Sequence, residues 1–82
     1  MFRYREIKAR VRKQPFVPFR IVTSAGETFD IYHPELIMVG RREVMIGQVS
    51  SADPEIYDGL DRVSMMHITA IKELPRRKRE SS

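Results

Sequence analysis

At 82 residues the chain has room for one domain, and its core must be thin because a domain this small buries only about 60–65% of its unfolded surface. It contains no cysteine, which excludes disulfide bridges and thiolate metal sites. Its net charge of +4 is uneven, since basic ends (residues 1–13 and 76–82) flank an acidic body, and this arrangement bears on association rather than on fold.

The chain opens with a predicted amphipathic helix over residues 3–13, a segment without Gly or Pro. Tyr4, Ile7 and Val11 fall at i, i+3 and i+7, so they share one helical face that should pack on the core. Pro15 ends this helix, because the residue before a proline disfavours the α conformation. Much of the remaining circumference is basic, with Arg3, Arg5, Lys8, Arg10, Arg12 and Lys13.

A first hairpin is predicted after the helix. Residues 19–23 and 28–32 alternate apolar and polar side chains, a pattern typical of half-buried strands. Between them, Gly26 suits the positive φ of a type II turn or of a bulged hairpin loop. His33 followed by Pro34 ends the second strand, because proline cannot donate to a β-ladder.

A second hairpin is predicted from residues 36–39 and 44–46, around the polar turn 40–43. Both strands are apolar at every position, and such strands need cover on both faces. The amphipathic helix can cover one face, and another subunit could cover more. The pattern therefore predicts self-association, with a homo-oligomer as one expectation.

The C-terminal third has weaker patterns. Residues 50–61 are polar, contain an Asp-Pro and an Asp-Gly turn signal, and predict a loop. Residues 62–66 and 70–74 then predict a final strand pair or one bent strand. Pro75 ends the domain, and residues 76–82, which lack apolar side chains, predict a disordered basic tail.

One helix and about five short strands joined by tight turns predict an α+β, mostly β, single domain over residues 1–75. The expected architecture is the N-terminal amphipathic helix packed on a highly curved antiparallel sheet or on a small barrel.

Residues 14–21 (QPFVPFRI), followed by Gly26 and then by His33-Pro34-Glu35, resemble the signature of short, uncharacterised bacterial proteins found in planctomycete-type genomes. The similarity covers residues 5–74. It implies membership of a bacterial family and no assigned activity.

A more distant resemblance is to Sm-like RNA-binding barrels, which also run from a helix into five curved strands and keep a glycine where Gly26 stands. Residues 66–69 are similar to the short turn between their last two strands. These residues lack the basic residue and the glycine that shape the nucleotide pocket in many Sm-like proteins. After the second strand, where Sm-like proteins have an Asp and usually an Asn, this chain has His33-Pro34-Glu35. The resemblance implies an Sm-like barrel without the family's RNA site.

The candidate binding residues are cations on the helix, on the second hairpin tip and in the tail. Arginine binds phosphate or carboxylate through two parallel hydrogen bonds, and cations that neutralise phosphates give salt-dependent nucleic-acid binding. The candidate nucleic-acid or anion contacts are Arg3, Arg5, Lys8, Arg10, Arg12, Lys13, Arg41, Arg42, Arg76, Arg77, Lys78 and Arg79. The alternatives are a solvated helix face, a hairpin tip that is polar because it faces water, and a solubilising terminus.

No pattern in the chain predicts catalysis. His33 has Asp30 and Glu35 nearby in sequence, but there is no HExxH helix and no nucleophile elbow, and His67 stands alone. The acids between residues 53 and 61 do not match a calcium loop. The sequence therefore predicts a protein that is not an enzyme, with no catalytic residue, metal, cofactor or small-molecule ligand.

The methionines complete the candidate residues. Met38, Met45, Met65 and Met66 are predicted to fill the core, or to mark an adaptable interface if they reach the surface. Residues 36–39 form the longest apolar stretch, far too short to cross a bilayer, which favours a soluble cytoplasmic protein without a membrane span.

We therefore expect a non-catalytic small β-barrel module for self-association or for binding a macromolecular partner. The alternative is a nucleic-acid-binding accessory protein that uses the basic helix and tail.

Overall fold

A computed structural model of the chain describes residues 3–50, 52–53 and 56–75. In these ranges it contains one α-helix and six strands, in the order α1 (Tyr4–Arg12), β1 (Phe19–Thr23), β2 (Thr28–Ile31), β3 (Ile37–Val39), β4 (Glu43–Val49), β5 (Tyr57–Ser64) and β6 (Ile68–Glu73). Single-turn 3₁₀ helices, Pro34–Leu36 and Met65–His67, precede β3 and β6.

The six strands form two antiparallel sheets. The first sheet has the order β2-β1-β6 and the second has the order β3-β4-β5. The predicted α+β, mostly β, class is confirmed. The predictions of about five strands and of a barrel are wrong, because the described part of the chain has a sixth strand and its sheets do not close on each other.

The helix α1 packs as its periodicity predicts. Ile7 is fully buried in the core, and Tyr4 and Val11 pack against the same cluster from the edges. The helix is capped at its start, where the Arg3 main-chain N–H donates to the Glu6 carboxylate at 3.0 Å. Glu6 in the first turn also complements the positive end of the helix dipole.

The first hairpin is confirmed. Its register pairs Phe19 with Ile31 and Ile21 with Phe29, and Phe19, Ile21 and Ile31 are buried. Gly26 has a φ of 87°, the left-handed conformation that a residue with a Cβ rarely adopts.

The second hairpin is confirmed, but it is covered on one face only. Ile37, Val44 and Ile46 point into the core that α1 closes, whereas Met38 is 59% exposed. Side chains alternate across a strand, so an unbroken apolar run places every second residue on the outer side of the sheet.

The predicted loop over residues 50–61 is wrong from Tyr57 onward, because β5 begins there and pairs with β4 along its length. Val63 lies opposite Val44 and is buried, while Leu60 lies opposite Gly47. The polar residues of β5 occur where the sheet meets solvent, and the Asp-Gly signal lies at an irregularity in the ladder rather than in a loop.

The predicted final strand pair is also wrong. β5 pairs with β4 in the second sheet, and β6 pairs with β1 in the first sheet. The 3₁₀ helix Met65–His67 redirects the chain from one sheet to the other, so the bent-strand alternative is the closer description. The predicted disorder of residues 76–82 lies outside the described residues.

Candidate functional site

Three segments that are distant in sequence enclose a groove of about 720 Å³. They are the start of α1, the turn between β3 and β4, and the end of β5 with the 3₁₀ helix that follows. The lining residues are Arg3, Tyr4, Arg5, Arg41, Arg42, Ser64, Met65 and Met66. We call this surface the arginine groove.

Main-chain hydrogen bonds hold the hairpin tip in the groove wall. The Gly40 N–H donates to the Glu43 carbonyl at 2.8 Å and closes the turn, and the Met65 N–H donates to the Arg42 carbonyl at 2.7 Å. A Cβ at Gly40 would lie 3.2 Å from the Glu43 carbonyl oxygen, a tight approach that glycine relieves. Arg41 and Arg42 therefore project from a tethered backbone.

The field inside the groove is positive. Arg5 lies with its guanidinium carbon 5.9 Å from the centroid of the Tyr4 ring. A side-chain hydrogen bond from Arg5 and the charge of that guanidinium lower the pKa of Tyr4, and the charges of Arg41 and Lys8 lower it further.

The four groove arginines differ from the arginines that pair with carboxylates. Within residues 3–50, 52–53 and 56–75, ion pairs join Arg10 to Glu73 at 3.4 Å, Arg20 to Asp30 at 2.6 Å and Arg62 to Glu43 at 3.9 Å. None of these pairs involves an arginine of the groove, and no described carboxylate lines it. Among the described residues, the guanidinium groups of the groove pair with no carboxylate, and that of Arg5 contacts Tyr4.

The helix cations divide between two depressions. Arg10, Arg12 and Lys13 line a separate depression of about 380 Å³ at the end of α1, where Glu73 offsets part of their charge. Lys8 is half-buried and lies on α1 between the arginines at the start of the helix and the cations at its end. The candidates Arg76, Arg77, Lys78 and Arg79 lie outside the described residues.

A second surface lies on the side of the second sheet that faces away from the core. Gly47 has no side chain, and between Met45 and Leu60 this leaves a depression of about 540 Å³. Its lining is mostly apolar: Glu35, Leu36, Met38, Met45, Gly47, Asp58, Gly59 and Leu60. We call this surface the outer face.

The methionine prediction is confirmed for Met65, which is buried in the core. It is wrong for Met38 and Met66, which are 59% and 70% exposed and line the outer face and the arginine groove. Sequence reasoning also missed Leu60 as a surface residue. No apolar alternation marks its strand, because two polar residues, Asp61 and Arg62, separate it from Val63.

Charged residues border the outer face at both ends of β5. Arg62 is 67% exposed and holds Glu43 only loosely, at 3.9 Å. Asp58 and Glu35 lie beyond Leu60, at the opposite end. The outer face thus has an apolar centre, with the Arg62–Glu43 pair at one end and the carboxylates of Asp58 and Glu35 at the other.

The histidines have local contacts. The Nδ1 atom of His67 lies 3.5 Å from the Ser24 Oγ, and the Ser24 N–H donates to the His67 carbonyl at 2.7 Å. His33 is exposed at the end of β2. In the part of the chain that the structure describes, no three His, Asp or Glu side chains converge as a metal site.

Of the described helices, none combines the length and apolar character needed to cross a bilayer. Comparisons with protein-family models, with curated proteins and with solved structures found no match to this chain. The resemblances to the planctomycete-type family and to Sm-like barrels stay predictions.

Proposed function

We propose that the protein is a non-catalytic module that self-associates through the outer face. The observation that carries this proposal is the exposure of Met38 and Leu60, 59% and 62%, beside Leu36 and Met45 on one sheet face. Contiguous apolar patches with a polar border mark interaction sites more often than single exposed residues do.

Charge complementarity between Arg62 and Asp58 favours a second copy of the chain as the occupant, since Arg62 has only a loose contact, at 3.9 Å, with Glu43 of its own chain. Arg62 and Asp58 lie on β5, two residues to either side of Leu60. A two-fold axis that crosses the strands at Leu60 places Leu60 against its counterpart and Arg62 of each copy against Asp58 of the other. The result is an apolar centre with a polar rim of opposite charges, the anatomy of a specific interface.

We expect a weak dimer. The apolar centre contains four side chains, and only the surplus over the entropy lost in association appears as affinity. The dissociation constant should therefore lie in the micromolar range.

Sedimentation velocity from micromolar to near-millimolar concentration tests the proposal. The wild-type protein should shift from monomer to dimer, and Leu60→Glu should weaken dimerisation about tenfold or more because two carboxylates then meet at the centre. Met66→Glu is the matched control, since Met66 is an exposed methionine outside the outer face.

Circular dichroism of both variants should show the wild-type fold, because both substituted side chains are mostly exposed. A wild-type protein that stays monomeric at the highest concentration, or equal weakening by both substitutions, would remove the proposal.

A further inference from the structure

The arginine groove points to a ligand that the outer face does not explain. Four guanidinium groups from two distant segments face one cavity, and among the described residues they form no ion pair with a carboxylate. All four side chains are exposed, so an anion in solution can reach them. Guanidinium is also the group best shaped to bind phosphate through two parallel hydrogen bonds.

The lining includes apolar surface as well as charge. Tyr4 contributes an aromatic ring, and Met66 contributes a thioether that is 70% exposed. Proteins that bind single-stranded nucleic acid combine a basic groove along the backbone with side chains on which bases stack. A simple inorganic anion would leave this apolar part of the groove uncovered.

The cations continue beyond the groove. Lys8 follows along α1, with Arg12 and Lys13 at the end of the helix. A ligand that contacts both the arginine groove and the cations farther along α1 needs negative charge at repeated positions, as a nucleic-acid strand has. We infer that the arginine groove binds the phosphates of a single-stranded nucleic acid, with Tyr4 and Met66 against one of its bases.

Fluorescence anisotropy of a short fluorescein-labelled oligouridylate, titrated with the full chain at low salt, tests this inference. Arg5→Gln and Arg42→Gln should each weaken binding about threefold to tenfold, and each should reduce the slope of log affinity against log salt by about 0.7. Lys72→Gln is the matched control, because Lys72 is an exposed cation on β6, outside the groove. If Lys72→Gln weakened binding as much as Arg5→Gln and Arg42→Gln, the oligonucleotide would be attracted only by net charge, and the proposed binding site would be rejected.

The aromatic contribution has its own test. Tyr4→Phe keeps the ring and should bind the oligonucleotide like the wild type, whereas Tyr4→Leu removes the ring and should weaken binding about tenfold. Equal binding by the two variants would overturn the role of Tyr4. Circular dichroism checks that the helix remains docked, since Tyr4 also packs against the core.

Competition distinguishes the sources of negative charge. Unlabelled oligouridylate should displace the probe at far lower concentration than uridine monophosphate or inorganic phosphate. Displacement by polyglutamate as efficient as by oligouridylate would assign the groove to acidic protein and overturn the nucleic-acid inference. Leu60→Glu should bind the oligonucleotide normally, so that failure of the dimer and failure of this site are separable.

Discussion

The main-chain N–H of Met65 donates to the carbonyl oxygen of Arg42 at 2.7 Å, which ties the second hairpin to the 3₁₀ helix between the two sheets. The same 3₁₀ helix is held from the first sheet, since its His67 carbonyl accepts from the Ser24 N–H at 2.7 Å. The turns of both hairpins are thus anchored on one crossing segment. The arginine groove lies against this segment, so its shape depends on both sheets.

The charge arrangement proposed for the dimer predicts a reciprocal effect. Arg62→Asp alone and Asp58→Arg alone should each weaken dimerisation several-fold, because each puts like charges opposite each other across the two-fold axis. The double variant should recover most of the wild-type affinity, since the opposite charges are exchanged. Sedimentation velocity measures all four proteins.

Loss of affinity in the double variant equal to the sum of the single losses would place the two residues apart and contradict this orientation. Asp61→Asn is a control on the same strand, because Asp61 accepts a hydrogen bond from Gln48 within its own molecule at 2.8 Å.

The docking of α1 predicts a large dependence on Ile7. Ile7→Ala should lower the free energy of unfolding by about 2–5 kcal/mol, whereas Ile7→Val should lower it by about 0.5–1.5 kcal/mol. Ile7 is fully buried, so truncation leaves a cavity between the helix and the sheets. Urea denaturation followed by circular dichroism measures both. A loss below about 0.5 kcal/mol for Ile7→Ala would mean that the helix does not close the core.

Alanine substitution at two glycines should change the stability of the fold in opposite directions. Gly26→Ala should destabilise the fold by about 1–2 kcal/mol, because φ is 87° there and a Cβ makes that conformation costly. Gly59→Ala should be neutral or stabilise by about 0.5–1 kcal/mol, since Gly59 lies in β5 with open space around the position of a Cβ. Thermal unfolding of the two variants compares them directly, and the reverse order would contradict the turn geometry.

The positive field in the groove predicts an early titration of Tyr4. Arg5, first of all, lowers the pKa of Tyr4, so its tyrosinate should appear at lower pH than that of an ordinary tyrosine. Because the folded pKa is the depressed one, the linked stabilisation is absent below the folded pKa and grows as pH rises through it. Ultraviolet titration of wild type against Tyr4→Phe isolates this residue. Arg5→Gln should move the transition back to higher pH, and an unchanged transition would contradict the assignment.

Local patterns predicted the elements whose stabilising contacts are close in sequence. The i, i+3 and i+7 spacing of Tyr4, Ile7 and Val11 was sufficient to predict α1 and its buried face, and Gly26 identified the first turn. Local patterns did not predict β5. This strand carries polar residues where it meets solvent, and its main-chain hydrogen bonds come from its pairing with β4. The sequence named the groove arginines as candidate anion contacts, but it did not show that they lie together. It also did not place Tyr4 and Met66 in the arginine groove or Leu60 on the outer face, because these positions depend on which side of a helix or strand faces solvent.

The amino-acid sequence by itself determined the secondary-structure class, the amphipathic helix, the two hairpins and an excess of apolar residues on the second of them. These features depend on periodicity and on turn chemistry, which act over a few neighbouring residues. Only the tertiary structure decided that the strands divide into two sheets, that Met38 and Leu60 share an open face, and that Arg3 and Arg5 meet Arg41 and Arg42 in one groove. Pairing between strands distant in sequence places these residues together, and no local pattern encodes it.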